Sequence, residues 1–167
     1  MMSIPGKTPF NWIPTGATTF AGRDGRGGIE GDSGFRLNHL ERRGCGRPTL
    51  VIDCGHSQSL GSMRHRVKWF RESDHQVQIV LLVKLFLGRY QEPSQRVIWI
   101  EKYTDSVLRQ TITMAPNANT KPITYSVTRG SLLLEFALLR LRPAVPGSGE
   151  HDIIVTEDDL AQMAEQL

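Results

Sequence analysis

The sequence predicts one α/β domain, and three observations carry that expectation. At 167 residues the chain has the length of a single domain, and its 39% apolar and 22% charged content is that of a globular protein. Apolar runs rich in β-branched residues flank one segment of helical periodicity, Leu60–Glu72. The run before that helix, Thr49-Leu-Val-Ile-Asp-Cys-Gly55, carries an aspartate inside it.

Residues 1–28 read as a flexible or extended lead-in. Pro5, Pro14 and the Gly/Arg-rich stretch Gly22–Gly28 break any period there, which leaves 29–167 as the domain. Ser33–Leu37 reads as a first strand, followed by a loop over His39–Arg47. Pro48 opens the strand Thr49–Gly55, whose β-branched content and closing glycine mark it as buried. Ser57 or Ser59 is placed to cap the helix Leu60–Glu72. Leu60, Met63, Val67 and Phe70 form its apolar stripe, with Arg64, Lys68 and Arg71 as a basic stripe beside it. Ser73-Asp74-His75 turns the chain into Val77–Phe86, too apolar for an edge strand. Arg96–Thr104 closes a hairpin-like pair with it around Leu87–Ser94.

Shorter strands follow at Leu108–Met114 and Ile123–Thr128, parted by Pro116-Asn117. Ser131–Leu141 reads as a strand and Pro143–Gly149 as a linker. Thr156-Glu-Asp-Asp159 is a capping-box start for a final helix to Leu167, with acids in its first turn. No internal repeat is present.

Two cysteines are too few for a secreted disulfide scaffold. The start MMSIPGKTPFNWIPTG lacks an apolar stretch behind a basic one, and the longest apolar run, Ile79–Val83, is broken by Lys84. These features predict an intracellular protein, cytoplasmic or nuclear, with no membrane partner. The net charge of +3 is unevenly spread: Arg36, Arg42, Arg43, Arg47, Arg64, Arg66, Lys68 and Arg71 face only Glu41 and Asp53 in the centre, while the tail from Glu150 is acidic. That distribution suits a polyanion near the centre; the competing reading is solvated faces that pair with each other.

The residues that point to chemistry are Asp32, in Glu30-Gly-Asp-Ser-Gly-Phe35, and Asp53. A carboxylate inside an apolar strand costs several kcal/mol unless it is paired, hydrogen-bonded or metal-bound. Two acids on neighbouring strands can share one divalent cation, and magnesium or manganese suits them because such an ion keeps positions for phosphate oxygens. The alternative is that Asp53 is satisfied by Arg64, Lys68 or a backbone amide. Trp69, with Arg64, Lys68 and Arg71, makes a stacking-plus-phosphate surface for nucleic acid, Phe70 belonging to the core. His39, Cys45, Cys54 and His56 lack the spacing of a zinc clip, and Cys54 reads as a small core residue on the face opposite Asp53. Ser57 and Ser59 beside His56 lack a nucleophile elbow, and Gly25-Arg-Gly-Gly28 lacks the strand and Gly-Lys-Ser/Thr of a phosphate loop.

The segments GDSGF, RPTLVIDCGHSQSLGSMRHRVKWF, HQVQIVLLVK and VIWIEKY together resemble a family of uncharacterised proteins of filamentous fungi. That family is similar to PD-(D/E)XK, restriction-endonuclease-like proteins and to a bacterial family of small proteins of the same kind. The resemblance runs from about Glu30 to the C-terminus. It implies a restriction-endonuclease-like mixed β-sheet core with a flanking helix, extra C-terminal strands and a terminal helix. It also implies Asp32 and Asp53 as the two metal acids. The superfamily's lysine, two residues beyond the second acid, falls on Gly55, so Lys68 or Arg64 from the helix is the substitute; a guanidinium that stays protonated is a poor proton acceptor. The initial helix usual in the superfamily is not evident in residues 1–28.

These readings lead us to expect a degenerate PD-(D/E)XK nuclease-like domain, serving as a non-catalytic nucleic-acid or protein interaction module. Gly55 is the feature that favours it. The alternative is an active divalent-metal-dependent nuclease hydrolysing phosphodiester bonds of DNA or RNA.

Overall fold

A computed structural model of the chain describes residues 12–21, 28–37, 48–72, 77–88 and 93–167. The expected loop His39–Arg47, the turn Ser73–His75, most of the Gly22–Gly28 stretch, and His39 and Cys45 lie outside the described residues.

The chain is α/β. Its main sheet has seven strands: β1 (Trp12–Pro14), β4 (Ser33–Leu37), β5 (Leu50–Gly55), β6 (Ile79–Phe86), β7 (Val97–Thr104), β8 (Val107–Asn117) and β9 (Thr124–Thr128), in that spatial order. All neighbours are antiparallel except β5 and β6, which are parallel and joined by the helix α1 (Leu60–Glu72). A parallel pair needs a crossover of this kind, and it explains why one amphipathic helix stands between two apolar runs. Two small antiparallel pairs complete the strands: β2 (Thr18–Ala21) with β3 (Gly28–Gly31), and β10 (Leu132–Leu134) with β11 (Ile153–Val155).

Each face of the sheet is covered. On one face Met63, Val67 and Phe70 of α1 pack on Val51, Val80, Leu82 and Tyr103. On the other, Leu139 of α2 (Phe136–Arg140) and Leu160 and Ala164 of α3 (Glu157–Glu165) pack on Leu50, Ile79, Leu81, Ile98, Ile100, Ile112 and Met114. Burial on both faces is why β6 is apolar at every position but Lys84 rather than alternating. Phe70 and Met63 are fully sealed, and removing either would cost about 2–5 kcal/mol.

Helix starts follow the expected chemistry. Ser59, rather than Ser57, accepts the Ser62 N–H at 3.1 Å at the start of α1. Thr156 and Asp159 form the reciprocal capping box of α3. Three expectations need correction. Ser131–Leu141 is not one strand: it divides at Glu135 into β10 and α2, where Asp152 Oδ1 accepts the first helical N–H, that of Phe136, at 2.8 Å. Cys54 is exposed, not a core residue. Part of the lead-in is paired, with β1 running along the outer edge of β4 through Trp12–Leu37 and Pro14–Phe35. Among the described residues none before β3 is helical.

Candidate functional site

Asp32 sits at the junction of β3 and β4, where the chain passes from the small pair into the main sheet. The preceding Gly31 permits a close approach to β5: a Cβ there would lie 2.7 Å from Val51 Cγ1 and 3.6 Å from the Phe70 ring. In that seat Asp32 Oδ2 accepts the backbone N–H of Cys54 at 2.6 Å. The first acid is thereby tied to the strand that carries the second.

Asp53 lies on the α1 face of β5 and is fully buried. Neither of its oxygens has a hydrogen-bond partner among the described residues. Its counter-charge is Arg66 of α1, whose Nη2 stands 3.1 Å from Oδ1. Arg66 is held in turn by the Glu30 carbonyl and by Gln58 Oε1, and its guanidinium lies 6.0 Å above the Phe70 ring. Burial pushes the Asp53 carboxyl up to about 6; Arg66 opposes the rise, and the nearby Asp32 charge adds to it. Burial of its flank, and then the two aspartates, also raise the Cys54 thiol above its ordinary value.

Two residues beyond this level, Gly55, Lys84 and Trp99 lie side by side across β5, β6 and β7. The space a Gly55 side chain would enter is filled by Met63, whose sulfur would be 2.3 Å from a Cβ. A lysine at 55 therefore requires the Met63 thioether to shift. The adjacent strand supplies an amine at the same level: Lys84 is buried, and its Nζ donates to the His56 carbonyl at the C-terminal end of β5.

A second buried acid, Glu101, lies on the same face, level with Leu82 and Asp53. It is two strands from Asp53, about 10 Å between backbones, and its oxygens are engaged elsewhere. Its oxygens accept from Arg64 at both ends of the guanidinium fork, from Trp99 Nε1 at 3.0 Å and from the Tyr103 hydroxyl at 2.7 Å. Burial alone would raise Glu101, but these donors outweigh it and hold the carboxyl below the ordinary range. Burial and the bond to Glu101 push the Tyr103 hydroxyl up to about 12, and the same carboxylate holds the Arg64 guanidinium more firmly protonated.

Of the residues expected to form a site, the structure places Asp32 and Asp53 on adjoining segments around β5. Arg64 reaches instead to Glu101, on the opposite flank of α1 from Arg66. Lys68 is exposed on the outer side of the helix and Trp69 is half-buried. Arg71 is among the residues whose side chains are not described. Sequence reasoning missed Arg66, Lys84 and Glu101. Lys84 and Glu101 bear the mark that singled out Asp53, a charge within an apolar strand.

Two carboxylates suit a hard divalent cation, but the cation already present at Asp53 is Arg66. A guanidinium nitrogen 3.1 Å from Oδ1 stands where a dication would bind that oxygen, so the ion would have to displace it. Among the described residues no group of three or more His, Cys, Asp or Glu is placed to hold a metal. With Arg66 on Asp53 the residues do not fit magnesium or manganese. Among the described residues no helix is long and apolar enough to cross a membrane. No protein-family profile, curated protein or solved structure matches the chain.

Proposed function

We propose that the chain is a nuclease-like domain that works without turnover, as a module binding the phosphate backbone of DNA or RNA. The observation that carries this reading is the division of labour on α1. Its inner residue Arg66 neutralises the buried acid, while its outer surface turns His65, Lys68 and half of the Arg64 side chain to solvent, with no acid in its first turn. A basic helix over an already neutralised buried acid attracts a polyanion and leaves Asp53 no free role in hydrolysis. The antiparallel pair β4–β5 followed by α1 and the parallel strand β6 supports the restriction-endonuclease-like reading of the core.

Fluorescence anisotropy with labelled single- and double-stranded oligonucleotides, over a range of salt, tests the proposal. Binding should weaken linearly in log–log form, with a slope of about −0.7 to −0.9 per phosphate contact. Lys68→Ala should reduce that slope by about one contact, and the oligonucleotides should remain intact. Binding indifferent to salt and to Lys68 would contradict the nucleic-acid reading and leave a protein partner.

A second reading, a divalent-metal-dependent phosphodiesterase, is favoured by Lys84, an amine level with the position where the superfamily lysine would stand. It requires Arg66 to leave Asp53. Cleavage abolished by Lys84→Met, with backbone binding retained, would establish it; no cleavage over a panel of substrates and metals would end it.

A further inference from the structure

We infer that Arg66 is a built-in substitute for a divalent cation, and that removing its guanidinium turns the Asp32–Asp53 pair into a metal site. Asp53 is sealed beneath α1, and its carboxylate, with no hydrogen bond among the described residues, has a guanidinium nitrogen 3.1 Å away. A charge so placed needs a cation from some source. Arg66 is fixed there rather than passing through: the Nη2 that faces Asp53 also donates to the Glu30 carbonyl, Nη1 donates to Gln58, and the guanidinium lies over the Phe70 ring. Asp32 is seated beside it, because its Oδ2 accepts the N–H of Cys54, the residue next to Asp53. Two carboxylates fixed around one strand, with the guanidinium gone, form an oxygen-rich, negatively charged position open to water through the exposed Asp32. That is the chemistry of a magnesium or manganese position in which two protein oxygens and several waters complete the shell.

The inference deepens the non-catalytic reading and rests on it for the native state, in which Arg66 stays on Asp53. Its test uses no nucleic acid, so its failure is distinguishable from failure of backbone binding. Manganese titration of the full chain, followed by the spin-resonance signal of the free aqueous ion, would compare the native protein with Arg66→Ala, Arg66→Gln, Arg66→Lys and the double variant Arg66→Ala/Asp53→Asn. The two neutral variants should bind one ion more than about tenfold tighter than the native chain. Arg66→Lys, which keeps the charge, and the double variant, which removes the acid, should both return to the native level. Native affinity equal to that of Arg66→Ala, a neutral variant without gain, or a gain that survives loss of Asp53 would each overturn the inference. Should the neutral variants fail to fold, manganese must restore folding, because binding free energy then appears as folding free energy; no recovery in manganese would equally overturn it.

Discussion

Asp53→Asn should make the protein more stable at neutral pH and leave it unchanged in mild acid. The ordinary aspartate value is 3.8, and the folded chain holds Asp53 at about 6, chiefly because the carboxyl is buried. Below about pH 3 the group is protonated in both folded and unfolded chains and costs nothing. As pH rises from about 4 to about 6, the unfolded chain releases a proton that the folded chain retains, so stability falls through that window and stays low above it. The full difference corresponds to about 3 kcal/mol. Asparagine abolishes this dependence, but Arg66 then loses its counter-charge, so a net gain of about 1–3 kcal/mol at pH 7 is expected, against less than about 1 kcal/mol at pH 4. Urea unfolding followed by circular dichroism, from pH 4 to pH 8 at fixed ionic strength with a chelator, measures both proteins. Subtracting one curve from the other removes every other titrating group. A difference that does not change with pH, or one in which the native chain gains on the variant as pH rises, would refute the reasoning.

The Glu101 cluster should behave in the opposite sense, since its acid is fully paired. Glu101→Ala strands the Trp99 and Tyr103 donors, and urea unfolding should show a loss of about 2–5 kcal/mol; a loss under about 1 kcal/mol would mean the network contributes nothing. In Glu101→Gln the phenol of Tyr103, followed by its ultraviolet titration, should return from about 12 towards the ordinary value of 10. Cys54, although exposed, should react with iodoacetamide at pH 8 more slowly than glutathione, and Asp32→Asn should speed it, because Asp32 is the second cause of its raised value. Equal rates in the native chain and the variant would remove Asp32 from that environment.

Much of this was legible in the sequence wherever one face of an element is polar. The stripe of Met63, Val67 and Phe70 marks α1, and Thr156 with Asp159 marks the start of α3. The apolar run of β6 and its hairpin-like partner β7 were equally plain. Ser131–Leu141 was not, because it is apolar at nearly every position, the exposed Ala137 and Leu141 included, and such a run carries no period to separate strand from helix. The tail strand β11 is three residues long and exists only through its pairing with β10. At the site, Asp53 stood out as an acid in an apolar run. The partner that answers it did not, because Arg64 and Arg66 are about 200° apart around a helix. Which of them meets Asp53 and which meets Glu101 depends on how α1 crosses β5, β6 and β7, a tertiary fact with no local sequence signature. Lys84 is a related case: a lysine near a strand end reads the same whether it snorkels to solvent or lies beneath a helix.

On the proposed reading, the acid pair is served by the protein's own guanidinium and not by a metal. The most direct measurement is the anomalous difference map of native crystals soaked in manganese. Arg66 should be in place on Asp53, with no manganese peak between Asp32 and Asp53. A peak there, with Arg66 swung away from Asp53, would contradict it and restore the hydrolytic reading, with Lys84 as its amine.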